Sequence, residues 1–125
     1  MSTVRAHLAS VGPHLAWEGD DGIETLLIPE GFTRIGRGLR ADVRLGCRTV
    51  SRRHALVHRA GTTCVALDDH SLIGVFVNGK RIDWQPLMDG DQLEVGRFRI
   101  YFVGARQPHR IQPDGRTWHS PASLP

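Results

Sequence analysis

Arginine side chains are concentrated in one stretch of the chain. The 125-residue sequence contains 16 lysines and arginines, and only Lys80 is a lysine. Half of these cations fall in one segment, at Arg34, Arg37, Arg40, Arg44, Arg48, Arg52, Arg53 and Arg59. A guanidinium group binds phosphate through two parallel N–H donors, whereas an ammonium group acts as a point charge. The clustering therefore indicates a site for phosphate or another anion.

The same stretch contains a glycine pattern typical of dinucleotide-binding turns. Residues 36–41 fit Gly-x-Gly-x-x-Ala after a short apolar run. That turn must open a helix whose amino end faces the pyrophosphate. Residues 42–46 alternate between polar and apolar side chains and end at a glycine, which favours a strand. The context excludes a nucleotide-binding interpretation.

No residue spacing is typical of a catalytic or metal site. The chain has seven histidines and several serines, but no serine lies in a Gly-x-Ser-x-Gly turn and no histidine pair has metal-binding helical spacing. We expect no catalytic residue, no metal ligand, no cofactor and no enzyme activity. His54 adjoins an apolar run and is interpreted as a buried histidine that ties a loop to backbone groups.

Length and composition predict one soluble domain with a single core. The hydrophobic share is 40%, the charged share is 23%, and 14 glycines indicate many tight turns. No run approaches the roughly 18 apolar residues of a membrane span, and residues 1–10 lack the apolar block of a secretory signal. Cys47 and Cys64 are too few for a disulfide framework and are expected to be reduced structural thiols. We therefore expect a cytoplasmic protein without membrane contact.

The hydrophobic periodicity predicts short strands and no helix longer than about two turns between residues 15 and 103. The predicted strands are Leu26–Ile28, Thr33–Ile35, Ala55–His58, Cys64–Leu67, Val75–Val77, Gln92–Val95 and Phe98–Val103. In the last of these, Phe98, Ile100 and Phe102 share one face, while Arg99 and Tyr101 take the other. Many closely spaced short strands indicate an all-β chain folded as a β-sandwich.

Two dipeptides predict turns. Asn78-Gly79 separates two strand-like segments, 76–77 and 80–82, and an Asn-Gly pair accepts the positive φ angles of a two-residue hairpin. Asp89-Gly90 is a weaker turn signal before the strand at 92–95. The hairpin at Asn78-Gly79 is the strongest local prediction.

The two ends of the chain differ in composition from its middle. Residues 105–125 carry several prolines and little apolar periodicity, and Trp118 is their one candidate anchor on the domain. We expect residues 1–13 to be poorly ordered, residues 14–104 to form the domain, and residues 105–125 to be flexible or loosely docked.

The order of several short motifs resembles the forkhead-associated (FHA) family. That family carries Gly-Arg, then Ser-x-x-His, then Ser-x-Asn-Gly-Thr followed by Val-Asn-Gly. The matching positions here are Gly36-Arg37, Ser51 with His54, Ser71 with Gly74, and Val77-Asn78-Gly79. The resemblance covers roughly residues 26–103. It implies a sandwich of about eleven strands of the SMAD-FHA type, in which Gly36, His54, Gly74, Asn78 and Gly79 form the structural motif.

The resemblance also implies a function. FHA domains are non-catalytic modules that bind phosphothreonine-containing proteins or peptides in Ser/Thr-kinase signalling, through loops at one end of the sandwich. The positions that correspond to the phosphate site are Arg37, Ser51 and Arg52, and those beside the peptide are Leu72 and Ile73. Arginine supplies charge and a planar fork, and serine a hydroxyl donor.

One departure from the family pattern affects the peptide contact. Where the family has Asn-Gly-Thr, this chain has Ile73-Gly74-Val75, and isoleucine cannot bond the peptide backbone as asparagine does. A lost hydrogen-bond pair is worth about 1 to 3 kcal/mol, or roughly a 5- to 150-fold loss of affinity. The alternative is therefore a degenerate FHA scaffold in which Leu72 and Ile73 support phosphate-independent protein association.

Nucleic acid and the chain's own terminal segments are two further candidate partners. A sequence pI of about 9.5 is compatible with nucleic acid, but the net charge is only +3 and aromatic residues near the basic loops are too few for base stacking. Nucleic acid is therefore disfavoured. Thr3 and Thr117 lie in the terminal segments, and either one, once phosphorylated, is a candidate to bind the domain's own phosphate site.

Overall fold

The structure, a computed structural model, describes residues 12–104 and contains eleven β-strands in that range. The strands are β1 (His14–Gly19), β2 (Gly22–Leu27), β3 (Gly31–Gly36), β4 (Val43–Arg44), β5 (Ala55–Ala60), β6 (Thr63–Asp68), β7 (Val75–Val77), β8 (Lys80–Ile82), β9 (Trp84–Pro86), β10 (Gln92–Val95) and β11 (Phe98–Val103). No helix occurs among these described residues. The prediction of an all-β chain with about eleven short strands is confirmed.

The strands form two sheets. The larger has the order β2-β1-β11-β10-β7-β8, and the smaller has the order β4-β3-β5-β6-β9. All pairings are antiparallel except the short one between β3 and β4, where Ile35 lies opposite Val43. The first described strand pairs with the last: His14 lies opposite Val103, and Trp17 lies opposite Ile100.

The core lies between the two sheets and consists of inward-facing side chains from both of them. The smaller sheet contributes residues such as Ile35, Val57 and Ala66, each at most 1% exposed. The larger sheet contributes Leu15, Leu93 and Ile100, all fully buried. Because successive side chains of a strand point to opposite faces of the sheet, one face of each sheet can fill this core.

Strand β11 has the predicted two faces. Ile100 and Phe102 are buried, and Phe98 packs against the core. Arg99 is exposed and Tyr101 is half-buried on the opposite face.

The predicted hairpin is present between β7 and β8. Asn78 and Gly79 have φ angles of 51° and 83°, and Val77 lies opposite Lys80. The Asn78 amide donates to Asp91 Oδ1 at 2.9 Å and accepts the Gln92 N–H at 2.9 Å, so the turn is tied to β10. The second predicted turn is also present, with Gly90 at a φ of 90°.

Strand boundaries differ from prediction where pairing rather than periodicity defines the strand. The strand predicted at Leu26–Ile28 is in fact β2, Gly22–Leu27, and Ile28 lies beyond it in the core. Strand β2 is an edge strand whose side chains are almost all exposed, so it shows no apolar alternation. Strand β9 contains Pro86, which an edge strand tolerates because one side of its backbone needs no partner.

Several predictions lie outside the described residues. They concern the segments 1–11 and 105–125, including Thr3, Thr117 and the anchoring role of Trp118. Within residues 12–104, no helix is long and apolar enough to cross a membrane.

Candidate functional site

Three loops meet at one end of the sandwich: residues 37–42 between β3 and β4, residues 45–54 between β4 and β5, and residues 69–74 between β6 and β7. Backbone hydrogen bonds join the first two loops. Arg37 N donates to Ser51 O at 2.9 Å, and Gly38 N donates to Arg52 O at 3.1 Å. The third loop is joined to the second where Leu72 N donates to Ser51 Oγ at 3.0 Å. Arg37, Ser51, Arg52 and Leu72, predicted from separate motifs, are therefore brought together.

Gly36 allows the first two loops to approach each other closely. A Cβ atom at this position would overlap the carbonyl oxygen of Arg52. Any side chain would push the second loop away from the first. The Gly-Arg motif thus places Arg37 directly beside Ser51 because its glycine has no side chain.

Arg37 is exposed but held in one orientation. Its Nε donates to Val50 O at 3.1 Å, and its own carbonyl accepts Arg44 Nε at 3.3 Å. Its terminal amino groups have no partner among the described residues, so they are available to an anion. A guanidinium anchored at Nε is pre-organised, which reduces the entropy lost when it binds a ligand.

The Ser51 hydroxyl has a proton available to donate. Its oxygen already accepts the Leu72 N–H. A hydroxyl group has one proton to donate in addition to its acceptor lone pairs. The Ser51 O–H is therefore free to donate to an anion beside Arg37.

His54 connects the second loop to the start of β7. The ring is fully buried. Its Nδ1 accepts the Ser51 N–H at 3.0 Å, and its Nε2 therefore carries the proton and donates to Gly74 O at 2.8 Å. The ring thus connects the backbone of the second loop to that of the third, and its contribution to stability stays a prediction.

The loop at 69–74 is stabilised by hydrogen bonds that do not involve the side chains of residues 72 and 73. Ser71 N donates to Asp68 Oδ1 at 2.8 Å, and Gly74 N donates to Ser71 Oγ at 2.9 Å. Gly74 has a φ of 101°, which favours glycine. The loop therefore keeps its shape without the family's asparagine.

Leu72 and Ile73 are presented to solvent at this loop. Leu72 is 87% exposed and Ile73 is 48% exposed. Neither side chain can donate or accept a hydrogen bond. Beside Ser51 of the second loop, the surface is therefore apolar where the family pattern has an amide.

Sequence reasoning did not assign a role to Arg53 or Asp69. The Arg53 guanidinium donates to both carboxylate oxygens of buried Asp69, at 3.1 and 2.8 Å. These hydrogen bonds, and then the carboxylate charge, raise the pKa of Arg53. Asp69 N also donates to His54 O at 3.0 Å, so the pair braces the second and third loops against each other. The cluster of arginines in the sequence indicated this region, but it did not identify which arginine pairs with a carboxylate.

Asn78 and Gly79 lie in the β7–β8 hairpin. The hydrogen bonds that tie this turn down run from Asn78 to Asp91 and Gln92, at the start of β10, rather than to the three loops.

Cys47 and Cys64 are both free thiols. Burial raises the pKa of the Cys64 thiol to about 11. A hydrogen bond from the Thr49 hydroxyl, at 3.4 Å, lowers the pKa of Cys47. Among residues 12–104 no three metal-ligating side chains cluster.

Fold and site together define a β-sandwich whose loop end presents the Arg37 guanidinium beside the Ser51 hydroxyl. The family model described as the FHA domain matches residues 33–96. The chain belongs to the FHA domain family.

Curated relatives extend the match beyond the family model. The glycogen accumulation regulator GarA of Mycobacterium tuberculosis (strain H37Rv) is 32% identical over 99 residues, covering 79% of this chain and 60% of the relative. The oxoglutarate dehydrogenase inhibitor of Corynebacterium jeikeium is 34% identical over 85 residues, covering 68% of this chain and 59% of the relative. The chain thus spans about 60% of the length of these relatives.

Solved FHA domains have the same architecture. One, studied for phosphothreonine-dependent interactions, has a TM-score of 0.70 at 31% identity and covers 78% of this chain and 98% of its own. The FhaA FHA domain in complex with the intracellular domain of Rv3910 has a TM-score of 0.68 at 32% identity, covering 72% and 98%.

Proposed function

We propose that this domain binds phosphothreonine-containing proteins or peptides through its three loops, as a non-catalytic module in Ser/Thr-kinase signalling. The observation that carries the proposal is the pairing of Arg37, anchored at Nε by Val50 O, with a Ser51 hydroxyl whose proton is unused. Both groups lie in loops held together by hydrogen bonds. The site is therefore formed before the ligand arrives.

The chemistry of a phosphate group fits these donors. Phosphothreonine carries a charge of about −1.5 to −2 at pH 7 and three acceptor oxygens. Arg37 supplies its terminal amino groups, Ser51 its hydroxyl, and exposed Arg52 a second cation in the same loop. Three donors of this kind match the three oxygens.

The relatives support this proposal. A similar FHA domain forms phosphothreonine-dependent interactions, and EmbR of Mycobacterium tuberculosis, 28% identical with a TM-score of 0.66, has been solved with a low-affinity phosphopeptide. Curated relatives are named as a glycogen accumulation regulator and as oxoglutarate dehydrogenase inhibitors. By analogy, this domain regulates a partner by binding it, and a cytoplasmic location is the setting that its two free thiols favour.

The second candidate function is phosphate-independent protein association. It is favoured by the exposed pair Leu72 and Ile73, which replaces a polar peptide contact by an apolar one. In that case the partner buries these two side chains, and the arginine site contributes little.

Calorimetric titration with phosphothreonine peptides and their unphosphorylated counterparts tests the proposal. Binding should require the phosphate and should weaken as salt rises from about 0.15 M, because exposed charges are screened over roughly 8 Å at that ionic strength. Equal binding of both peptide forms, lost in Leu72→Ser but unaffected by salt, would instead establish the apolar association.

A further inference from the structure

A groove of about 240 Å³ lies beside the second loop of the site, residues 45–54, which we call the phosphate loop because it carries Ser51 and Arg52. Its lining combines the apolar residues Leu39 and Ala41 with the arginines Arg34, Arg40 and Arg52. Arg52 belongs both to this groove and to the proposed phosphothreonine site. The groove is therefore continuous with the site rather than a separate cavity.

The groove contains more positive charge than its own acidic groups neutralise. Within residues 12–104, the side chains of Arg34, Arg40 and Arg52 make no hydrogen bond or ion pair, and all three residues are exposed. The one acidic residue of the lining, Asp69, is held by Arg53 through two hydrogen bonds. The groove thus has three cations without a partner in the described fold.

One phosphothreonine does not use all of these cations. It engages Arg37, Ser51 and Arg52 in the proposed site, which leaves Arg34 and Arg40 without a ligand. Arg40 follows Arg37 by three residues, so their Cα atoms lie at most about 11 Å apart, the span of roughly three residues of extended peptide. A peptide side chain within about three residues of the phosphothreonine can therefore reach the groove.

We propose that this groove binds a second anionic side chain, a carboxylate or a phosphate, within about three residues of the phosphothreonine in the same peptide. The inference rests on the proposed function and adds a sequence preference to it. Arg34 and Arg40 supply the charge. Leu39 and Ala41 supply an apolar surface against which the methylene groups of the anionic side chain pack.

The test compares three sets of phosphothreonine peptides at about 0.15 M salt: one with neutral flanks, one with a glutamate at each position from −3 to +3 in turn, and one with phosphoserine at the same positions. Two solvent-exposed ion pairs predict a gain of about five- to tenfold for the best-placed anion. A larger gain for glutamate identifies a carboxylate as the ligand, and a larger gain for phosphoserine identifies a phosphate.

The variants assign the gain to the groove. In the double variant Arg34→Gln with Arg40→Gln, the gain should disappear, while affinity for the neutral peptide changes by about twofold at most. The control is a double variant with the same change of net charge, Arg97→Gln with Arg99→Gln, whose arginines lie outside the groove lining; it should keep the gain. Equal melting temperatures of the variants establish that all are folded.

Three results overturn this inference: no gain for any placed anion, a gain that survives in the groove variant, or a gain lost equally in the charge control. In each case the neutral phosphothreonine peptide still binds, so the proposed function survives. Absence of binding by every phosphothreonine peptide would overturn the proposed function as well.

Discussion

The three loops divide into two halves whose side chains are held in different ways. In the phosphate half, Arg37, Ser51 and His54 each make hydrogen bonds within the fold. In the peptide half, Leu72 and Ile73 project into solvent, and the hydrogen bonds of their loop involve its backbone and the side chains of neighbouring residues such as Ser71. The loop therefore holds its shape through hydrogen bonds that do not require a polar side chain at residue 73. The shape depends on Ser71, Gly74 and His54, which remain.

Arg37→Ala should have the largest effect, because it removes the main cation of the phosphate half. We expect affinity for a phosphothreonine peptide to fall about 100-fold or more, as for a central charged anchor in a binding site. Calorimetric titration measures the change. Arg99→Ala is the matched control, since Arg99 is exposed on β11 and its loss should leave binding within about twofold. Intact binding of a natural partner to the Arg37 variant would make the phosphate site vestigial.

His54→Ala should weaken the support that both halves share. The change leaves Ser51 N and Gly74 O without partners and opens a cavity in a fully buried position. We expect a loss of about 2 to 3 kcal/mol in the free energy of unfolding, measured by thermal denaturation. His58→Ala, a half-buried ring on the outer face of β5, should cost less than about 1 kcal/mol. Equal stability of the two variants would contradict the role assigned to His54.

Ile73→Asn should restore the peptide half. The new amide can bond the peptide backbone, and Ile73 is 48% exposed, so little packing is lost. We expect affinity for phosphothreonine peptides to rise about tenfold. Ile73→Ser serves as the control, because its side chain is polar but too short to bridge to the peptide. Weaker binding by the asparagine variant would show that the isoleucine itself contacts the ligand.

The smallest expected effect is a difference in chemical reactivity between the thiols of Cys47 and Cys64, without any change in folding. Because its pKa is lowered from 9.0, Cys47 in the second loop should form thiolate, and react with iodoacetamide, below pH 9. Cys64, with a pKa of about 11 and a buried side chain, should stay unmodified at pH 9. Mass spectrometry of the alkylated folded protein distinguishes the two sites. Modification of Cys64 before Cys47 would contradict the assigned environments.

The features that the sequence predicted correctly depend on residues that are neighbours in the chain. Asn78-Gly79 predicts its hairpin because the required φ angles are a property of those two residues. Strand β11 is predicted because its alternation matches its burial. Strand β4 lies within the alternating segment 42–46 that favoured a strand, whereas β9 was not predicted, since it has three residues and exists through pairing with β6.

The candidate site likewise contains some features that the sequence identified and others that it did not. Gly36-Arg37 and Ser51 with His54 form short motifs that sequence alone identifies. The pairing of Arg53 with Asp69 spans 16 residues, and no local pattern selects Arg53 from its arginine neighbours. The groove beside the phosphate loop is likewise formed by residues from three loops and one strand. Features that depend on separated segments meeting in space were beyond reach of the sequence.

The pairing of β1 with β11 determines when the protein can fold during its synthesis. Strand β1 leaves the ribosome first and forms its hairpin with β2 from local contacts, but its other edge stays open until β11 has been made. An open strand edge is a template for aggregation. A chain that stops before Phe98 therefore lacks both that edge's partner and the core side chains Ile100 and Phe102, and it cannot close the sandwich. Closure waits for the longest-range contacts, which makes folding slow for a domain of this size.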